Sequence, residues 1–494
     1  MTDLSRRRFL KNATAASLVA LPACAGMGGG SLGKRVRVAV AGVRVQGRRH
    51  VAELQRNPDA EVVALTDPDS ALLMQAGALV ARHGKSPLVT QDPLSLLEQV
   101  GIDALVIATP DHWHATLAIR ACQAGWHVFV ETPVSHSVEE GAAMAEAARA
   151  NNRLVQSGLV ARAHPAIRDA VDHVRGGGFG PIRAIRAICY RYRSSIGRAD
   201  GVVQVPPHLD FDVWTGPSAK APLTRRRVHG DWRFDWRTGN GELGEAGTEL
   251  LDLARWFLGY ADHAGRGRSW PDRIWTCGGR LGVRDDGETP NTLLAALDFD
   301  GVPVLFDQRN LPTRYGEGRT MDRYRGVQYG LVIEGENRIL AVEPTRAICA
   351  EFDGEGNLMR QFDGEGSVLG DFIAAIRQHR ELSADIEIGR SAADLAHLVN
   401  IAHRTGAPGT RVGVLRSTID DPWLMASFDA MDTHLARNGL DLDHETPILS
   451  GWQSVDRVTG ELLGNDIANA LRRREYRRAF SWKATEGAAK VKRG

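Results

Sequence analysis

A regular succession of short apolar runs dominates the first third of the chain, and each run ends at a glycine or a polar residue. The run 35–41 ends at Gly42, the run 61–66 ends at Asp67, and another apolar run covers 104–108. Segments with helical periodicity separate these runs. Alternating strands and helices are typical of a parallel sheet that is covered on both faces. We therefore predict an N-terminal α/β domain that binds ligands at the carboxyl ends of its strands.

The first strand–turn–helix carries an incomplete fingerprint for binding a dinucleotide. Gly42 and Gly47 occupy the first and third glycine positions of G-x-G-x-x-G, which give a tight turn and close helix–strand packing. Arg44 occupies the middle position, and Gln46 begins the predicted helix 46–54. A side chain at position 44 would crowd a pyrophosphate, although its guanidinium could also contact one. The motif alone is weak evidence for a nucleotide site.

An acidic residue follows the second strand at the distance that dinucleotide-binding domains use. Asp67 can hydrogen-bond the adenosine ribose hydroxyls from this position, and an acid there favours NAD over NADP. The alternative is a turn aspartate that precedes Pro68. The sequence therefore predicts NAD as the cofactor.

Polar and aromatic residues follow the next two strands as well. The residues after the run 104–108 that we expect near a cofactor are Thr109, Pro110, His112, Trp113 and His114. The strand 126–130 ends at Glu131, Thr132 and Pro133. Four successive strand ends thus carry residues suited to binding a ligand.

The string TPDHWHATLAIRACQAGWHVFVETP, followed by VQSGL, resembles the Gfo/Idh/MocA family of oxidoreductases. Members of that family carry a TP-x-x-x-H segment and then an E-K-P segment, and the likeness runs from about Val36 to the mid-400s. The resemblance implies an N-terminal Rossmann domain in which Pro110 and His114 help to seat the nicotinamide and Glu131 approaches its ribose. The alternative for His112 and His114 is that they cap a helix.

The second half of the chain mixes polar and apolar residues at short period. Runs such as 181–188, 304–306 and 331–333 are typical of half-exposed strands in an antiparallel sheet. The resemblance implies the same α+β domain with a large, open, mainly antiparallel sheet, whose broad face commonly makes the oligomer contact. It also implies that 211–217 and 232–259 build the substrate pocket and its core helix.

These patterns divide the chain into four predicted parts. They are an export signal and linker (1–33), the Rossmann domain (34–157), the α+β domain for substrate and oligomer contacts (158–407), and an extension that packs on the domain surface (408–494). We expect a homo-oligomer.

Two residues that the resemblance implies for proton transfer are absent. Thr132 stands where the family has the lysine of E-K-P, and Glu249 stands where it has a histidine on the core helix. Glu245 stands where the family usually has Asp or Asn. The hydroxyl of Thr132 can position a substrate oxygen, but it is not a general acid near neutral pH. We therefore expect the ordinary oxidation of an alcohol to a ketone to be slow in this protein.

The two glutamates suggest another source of acid–base chemistry. Glu245 and Glu249 lie one helical turn apart, so in a desolvated pocket their repulsion would raise one pKa and leave a proton donor beside an acceptor. The alternative is a helix face that is either solvated or paired with arginines, with Arg255 or Arg237 as the counter-ion. By position alone, the further pocket candidates are Tyr190, Tyr192, His164 and Arg162.

Two functions remain open. The first is an NAD-binding enzyme that acts on a sugar or glycoside. NAD-dependent glycosidases of this superfamily also lack the lysine, hold their cofactor tightly and oxidise their substrate only transiently. The second is a catalytically inactive member that binds a sugar or a partner.

Charge and cysteine usage limit the other classes of function. Lys and Arg number 61 and Asp and Glu number 60, so no overall field favours nucleic acid or an anionic membrane. The 5 cysteines form no C-x-x-C pair, which gives no sign of a metal site. We expect a small carbohydrate as the ligand.

The first residues resemble an export signal. Arg6, Arg7 and Arg8 precede Phe9-Leu10-Lys11 and a short apolar run, as in a twin-arginine signal for folded proteins. The sequence thus predicts a periplasmic protein. Cys24 ends a stretch that resembles a lipoprotein cleavage box, so a lipid anchor there is the expected membrane contact, and an unmodified signal-peptide cysteine is the alternative.

Overall fold

The computed structural model describes residues 34–225, 227–260, 270–346 and 348–482. These residues form one sheet of six strands and one of eleven. The predicted export signal, including Cys24, lies outside the described residues. Among the described helices, none combines the length and the apolar character that crossing a membrane requires.

The N-terminal sheet has the strand order β3-β2-β1-β4-β5-β6, and all of its neighbouring strands are parallel. Its strands are β1 Val36–Ala41, β2 Ala60–Thr66, β3 Leu88–Thr90, β4 Ala104–Ile107, β5 His127–Val130 and β6 Val155–Ser157. The strand order reverses between β1 and β4, which opens a crevice at their carboxyl ends. The predicted α/β fold with a Rossmann domain is confirmed.

Helices on both faces bury this sheet. They are α1 Val45–Arg56, α2 Ser70–Ala81, α3 Pro93–Leu96, α4 His114–Gln123 and α5 Val138–Ala150. Asp69 and Asp92 cap α2 and α3 by accepting hydrogen bonds from backbone N–H groups of the first turn. The helix α3 is short: it ends at Leu96, and the chain then turns toward Gly101, which has a positive φ of 77°.

The second sheet has the strand order β14-β13-β12-β11-β7-β10-β9-β8-β16-β15, with β17 also paired to β8. Its strands are β7 Ala184–Tyr190, β8 Arg273–Gly279, β9 Thr292–Phe299, β10 Val302–Arg309, β11 Tyr329–Glu334, β12 Arg338–Glu343, β13 Ile348–Asp353, β14 Leu358–Phe362, β15 Ala407–Pro408, β16 Ile448–Leu449 and β17 Gln453–Ser454. The pair β7–β10 is parallel, whereas the other described pairs are antiparallel. The predicted large, mainly antiparallel sheet is confirmed.

One face of the second sheet packs against helices that also reach the first domain. The helices after β6 are α6 Pro165–Arg175, α7 Phe211–Thr215, α8 Val228–Asp231, α9 Thr248–Leu258, α10 Val368–Gln378, α11 Ile386–Arg404, α12 Arg411–Thr418, α13 Pro422–Arg437 and α14 Asp466–Ala470. A π-helical turn, Leu243–Gly247, leads into α9. Apolar residues of α9 and α11 share a core with the sheet, and Phe372 of α10 joins the core of the Rossmann domain. These helices fasten the two sheets to each other.

The opposite face of the second sheet is covered by the C-terminal extension. Leu424, Phe428 and Met431 of α13 pack against Trp275 of β8 and Leu305 of β10. Around β8, β9 and β10, the chain's own helices therefore occupy the broad face on which the family resemblance suggests an oligomer contact.

Candidate active-site cleft

A cavity of about 330 Å³ lies at the carboxyl ends of β1, β2 and β4. The predicted residues of the Rossmann domain that line it are Gly42, Arg44, Gln46, Asp67, Thr109, Pro110 and Trp113. The second domain closes the cavity with Arg193, Trp214, His229, Trp232, Arg233 and Glu245. The structure thus brings most of the predicted cofactor residues together with one of the two predicted glutamates.

The glycine turn has no room for larger side chains. Gly42 has a φ of 81°, and a Cβ on it would lie 2.6 Å from the carbonyl oxygen of Ala108. A Cβ on Gly47 would lie 1.7 Å from the carbonyl oxygen of Gly42. Both glycines therefore have the geometric roles that the fingerprint gives them, a tight turn and close helix–strand packing.

Arg44 connects the glycine turn to the second domain. Its guanidinium donates a hydrogen bond to the carbonyl oxygen of His229, and the His229 ring lies 2.9 Å from a carboxylate oxygen of Asp69. The side chain that replaces the middle glycine thus helps to form the roof of the cavity.

Asp67 uses both carboxylate oxygens to shape the turn. One oxygen accepts a hydrogen bond of 2.9 Å from the N–H of Val43, and the other accepts one of 3.0 Å from the N–H of Asp69. Burial raises the pKa of Asp67, although these two hydrogen bonds act in the opposite direction. Each oxygen keeps a lone pair for a ribose hydroxyl, so this geometry permits the predicted contact without requiring it.

His114 joins the ends of two neighbouring strands. Its two ring nitrogens lie 2.7 Å from the carbonyl oxygen of Pro133 and 2.9 Å from that of Thr109. The ring is buried and engaged on both sides. His114 therefore positions the loops that contain Thr109 and Pro133. It would affect a bound nicotinamide only indirectly, through the positions of these loops.

His112 and Trp113 attach the loop after β4 to the second domain. The His112 ring nitrogens lie 2.9 Å from the carbonyl oxygen of Trp214 and 3.2 Å from that of Thr238. Burial lowers the pKa of His112 to about 4, so its ring is neutral. The Trp113 indole donates a hydrogen bond of 3.1 Å to the carbonyl oxygen of Val213. Both side chains therefore hold the domains together at the cavity.

His50, which the sequence analysis did not single out, contacts the carboxylate of Glu131 and lowers its pKa. Nε2 of His50 lies 2.5 Å from Oε1 of Glu131, and the Gln46 amide donates a hydrogen bond of 3.0 Å to the same oxygen. Burial opposes ionisation of Glu131, but these hydrogen bonds outweigh it and lower the pKa. The position of His50 on the buried face of α1, four residues after Gln46, was the available signal.

Three arginines surround Glu245. Its carboxylate lies 3.2 Å from Nε of Arg233 and 3.5 Å from both Arg191 and Arg193. Burial favours the neutral acid, but these arginines outweigh it and lower the pKa of Glu245. The buried Glu242, which sequence reasoning did not single out, also pairs with Arg193.

The counter-ions that the sequence suggested for this helix face are wrong. Arg255 lies 3.4 Å from Asp252, and Arg237 pairs with Asp235. The arginines that do pair with Glu245 come from distant segments, two after β7 and one after α8.

Glu249 has a different environment from Glu245. It accepts hydrogen bonds of 3.1 Å from the Tyr329 hydroxyl and 3.4 Å from the N–H of Ala161. Burial is the largest influence and raises its pKa. Burial thus raises the pKa of Glu249, whereas arginine pairing lowers the pKa of Glu245. Thr132 is half-buried at the end of β5.

The remaining position-based candidates lie outside the cavity lining. Tyr190 donates a hydrogen bond of 2.6 Å to Asp307, and Arg162 binds Asp252 through two hydrogen bonds of 2.8 and 2.9 Å. His164 precedes α6, and Tyr192 packs beside the cluster around Tyr190. In the described ranges, no three His, Cys, Asp or Glu side chains are placed to share a metal ion.

The cavity has features that fit a bound dinucleotide. The Thr109 hydroxyl is buried at the cavity without a hydrogen-bond partner in the protein. Such a group requires a ligand or water as its partner. The glycine turn lies at the same edge, and the Arg44 guanidinium that follows it can contact a phosphate.

Comparison with known proteins gives two family matches. The Gfo/Idh/MocA oxidoreductase family, NAD-binding Rossmann fold, matches residues 36–159. The C-terminal alpha/beta domain of the same oxidoreductase family matches residues 190–266.

Individual proteins resemble parts of the chain. A scyllo-inositol 2-dehydrogenase (NAD(+)) of Bacillus subtilis is 34% identical over 147 residues, which are 30% of this chain and 42% of the relative. A glycosyl hydrolase family 109 protein of Stenotrophomonas maltophilia is 36% identical over 151 residues, 28% of this chain and 32% of the relative. The chain spans about half the length of the curated relatives that it matches.

A solved structure of levoglucosan dehydrogenase in complex with NADH and levoglucosan superposes on most of the chain. The TM-score is 0.54 at 18% identity, over 74% of this chain and 96% of that chain. At this identity the likeness concerns the fold alone.

Proposed function

Because the chain belongs to the Gfo/Idh/MocA oxidoreductase family, we propose that it binds NAD in the cavity and acts on a sugar or glycoside. The observation that carries this proposal is the meeting of the glycine turn, the unpartnered Thr109 hydroxyl and Glu245 in one cavity. The relatives support the substrate class, since their names include an inositol dehydrogenase and a glycosyl hydrolase family protein.

The Rossmann residues at the cavity would hold the cofactor. The turn after β1 would hold the pyrophosphate. Asp67 has lone pairs for the adenosine ribose, which is the basis for proposing NAD over NADP. Thr109 and Pro110, which line the cavity, would hold the nicotinamide end. When bound, NAD supplies a reversible acceptor for hydride.

The protein's own residues would handle the substrate and its protons. Thr132 offers a hydroxyl that can position a substrate oxygen. Glu245, ionised beside its arginines, can accept a hydrogen bond from a sugar hydroxyl at the cavity. Burial raises the pKa of Glu249, which makes this carboxyl the candidate for proton transfer. Threonine at position 132 leaves net alcohol oxidation without the lysine that assists it in the family.

We extend the proposal to a redox-neutral reaction with a retained cofactor. Such a reaction would return the hydride to the same substrate, so that no net oxidation occurs. The absence of the family's lysine supports a redox-neutral reaction. The contact between Arg44 and His229 over the cavity supports retention of the cofactor. Export of a folded protein by the twin-arginine route, into the periplasm, would agree with a cofactor carried inside.

Three features of the whole protein remain proposals. We propose domain boundaries at 34–157, 158–407 and 408–494, after an export signal at 1–33. We also propose a lipid anchor at Cys24 and assembly into a homo-oligomer. Any oligomer contact on the second sheet would have to avoid the face that α12 and α13 cover.

A second candidate function is a catalytically inactive protein that binds a sugar or a partner. Thr132 and Glu249, which stand in place of the family's lysine and histidine, favour it. Cofactor retention distinguishes the two functions, because a non-enzymatic binder has no need of a dinucleotide.

The test is to purify the protein without added nucleotide, denature it and analyse the supernatant by mass spectrometry and absorbance. Released NAD or NADH would support a retained cofactor and direct substrate screening to glycosides. If nothing is released and titration with NAD or NADP shows no binding, the enzyme proposal is overturned in favour of the binding protein.

A further inference from the structure

A second cavity, of about 240 Å³, lies beside the cofactor cavity in the second domain. It is enclosed mainly by α7, by α8 and by the loop that follows each of them. Trp214 and Trp232 line both cavities, whereas Phe211 and Asp231 line the second cavity and not the first. Sites for small molecules typically measure about 300 Å³ or more, so this cavity suits a ligand at the small end of that range.

Aromatic rings form a large part of the wall of the second cavity. The rings of Phe211 and Trp214 stack with their centroids 5.6 Å apart and an angle of 12° between their planes. Trp232 and Phe234 add two further rings. Aromatic faces are apolar and carry a partial negative charge, so the C–H groups on the face of a sugar ring pack well against them.

A buried carboxylate beside these rings lacks a hydrogen bond. The Asp231 side chain is 5% exposed, and Nε of Arg227 is 3.8 Å from one of its oxygens. Among the described residues, no group donates a hydrogen bond to this carboxylate, and burial raises its pKa. A ligand hydroxyl that donated a hydrogen bond to Asp231 would replace the water that burial removes.

The arginines around the second cavity are neutralised within the protein. Arg225 lies 2.5 Å from Asp286, and Arg237 lies 2.5 Å from Asp235. These are the arginines of the described lining, so the cavity offers an anion no unpaired guanidinium. Aromatic faces, a free acceptor and paired charges together favour a neutral ligand that carries hydroxyl groups on an apolar ring.

We propose that the second cavity binds a neutral sugar ring, which packs against Phe211 and Trp232 and donates a hydroxyl hydrogen bond to Asp231. This binding goes beyond the proposed reaction, because it requires neither NAD nor a catalytic group. Since Trp214 and Trp232 also line the cofactor cavity, a ring bound here lies beside that cavity, as another unit of a glycoside would.

The experiment measures binding of neutral sugars to the purified full chain by ligand-observed NMR titration in excess NAD. The probes are D-glucose, D-galactose, N-acetyl-D-glucosamine and N-acetyl-D-galactosamine. We expect at least one of them to bind with a Kd of about 10 mM or less. Asp231→Ala should weaken this binding at least about tenfold, because it removes a hydrogen bond to a charged group. The exposed control Asp169→Ala, on α6, should leave the binding unchanged.

Phe211→Ala is the second variant, and it decides the test if circular dichroism shows that Asp231→Ala does not fold. It should weaken binding of the sugar at least about threefold, because the ring loses part of its packing surface.

No binding of any neutral probe, or unchanged binding in the folded variant, would overturn the inference. Tighter binding of D-glucuronate or D-glucosamine than of the neutral probes would overturn the assignment of a neutral ligand, and tighter binding of adenosine would overturn the assignment of a sugar. The result is separable from the proposed function. Failure of the chain to bind NAD would leave this inference standing, whereas retained NAD with sugar binding that ignores Asp231 would remove this inference alone.

Discussion

The guanidinium of Arg474 donates a hydrogen bond of 2.7 Å to the carbonyl oxygen of His112, which lies in the loop after β4. Arg474 also pairs with the fully buried Glu140 of α5, and Arg477 pairs with Asp212 of α7 at 2.9 Å. The last described stretch of the chain thus fastens the loop of the Rossmann domain and the segment of the second domain that together enclose the cavity. The C-terminal extension acts as a strap across the site.

Replacing Arg474 with alanine should loosen this strap. Glu140 would lose its charged partner inside the protein, and we expect the free energy of unfolding to fall by about 3 kcal/mol. Dissociation of bound NAD should become faster, and Arg474→Lys should restore part of both losses. Thermal denaturation and nucleotide release measure the two effects. The exposed neighbour variant Arg473→Ala is the control, and equal behaviour of the two alanine variants would argue against the strap.

Gly42→Ala should destabilise the glycine turn. The new Cβ would lie 2.6 Å from the Ala108 carbonyl oxygen at a φ of 81°, so the turn must shift. We expect a loss of about 2 kcal/mol and weaker binding of NAD, measured by denaturant unfolding and by titration. Gly84→Ala is the matched control, because a Cβ there meets no atom within 4 Å. Normal NAD binding by the Gly42→Ala protein would show that the cofactor does not bind at this turn.

Thr132→Lys should restore the residue that the family resemblance expects. A lysine ammonium at this position can exchange a proton with a substrate hydroxyl, which the threonine cannot do near neutral pH. We expect net reduction of NAD by myo-inositol to rise at least about tenfold, as general acid–base catalysis allows. NADH absorbance measures the rate, with Thr132→Val as the control. A folded lysine variant that binds NAD but gains no activity would contradict the role assigned to the missing lysine.

Glu249→Gln should abolish turnover while leaving the fold intact. The glutamine resembles the protonated acid that burial favours, and its carbonyl oxygen can still accept the Tyr329 hydrogen bond. If Glu249 accepts a proton, activity should rise as the pH rises through its elevated pKa, and the loss in the variant should be about a hundredfold or more. The pH profile of kcat/KM and circular dichroism test both parts. Full activity in the variant would remove Glu249 from the chemistry.

The stability of the protein should fall toward alkaline pH because of Asp394 on α11. Burial raises the pKa of this carboxyl to about 7, and its nearest described cation, Arg390, is 3.7 Å away. Because the pKa of Asp394 is higher in the folded protein than in the unfolded chain, its contribution to stability is fully present at pH values below about 4. This contribution is lost as the pH rises to about 7.

The matching variant is Asp394→Asn, which cannot ionise. Its melting temperature should exceed that of the parent protein by several degrees at pH 8 and by little at pH 5. Asp429→Asn, on the exposed side of α13, should change neither value. An equal shift at both pH values would show that ionisation of Asp394 is not the cause.

The sequence predicted the fold because strands, helices and tight turns are specified by residues that lie close together in the chain. The buried runs that become β1, β2 and β4 have strict local geometry, and so does Gly42, which turns the chain after β1. Local signals also located most of the cavity, since the residues after parallel strands lie at one edge of a sheet. They did not reveal that both ring nitrogens of His112 and of His114 lie within 3.2 Å of backbone carbonyl oxygens.

The sequence by itself determined the alternation of strands and helices, the two glycines of the turn and the departures at Thr132 and Glu249. Only the tertiary structure decided which charges meet: Glu245 with three arginines, Glu131 with His50, and Arg474 with Glu140. Periodicity encodes which face of a segment is buried, but a carboxylate's partner depends on how distant segments pack. Burial and pairing then set each pKa, so the protonation states of the site follow from the fold and not from residue type.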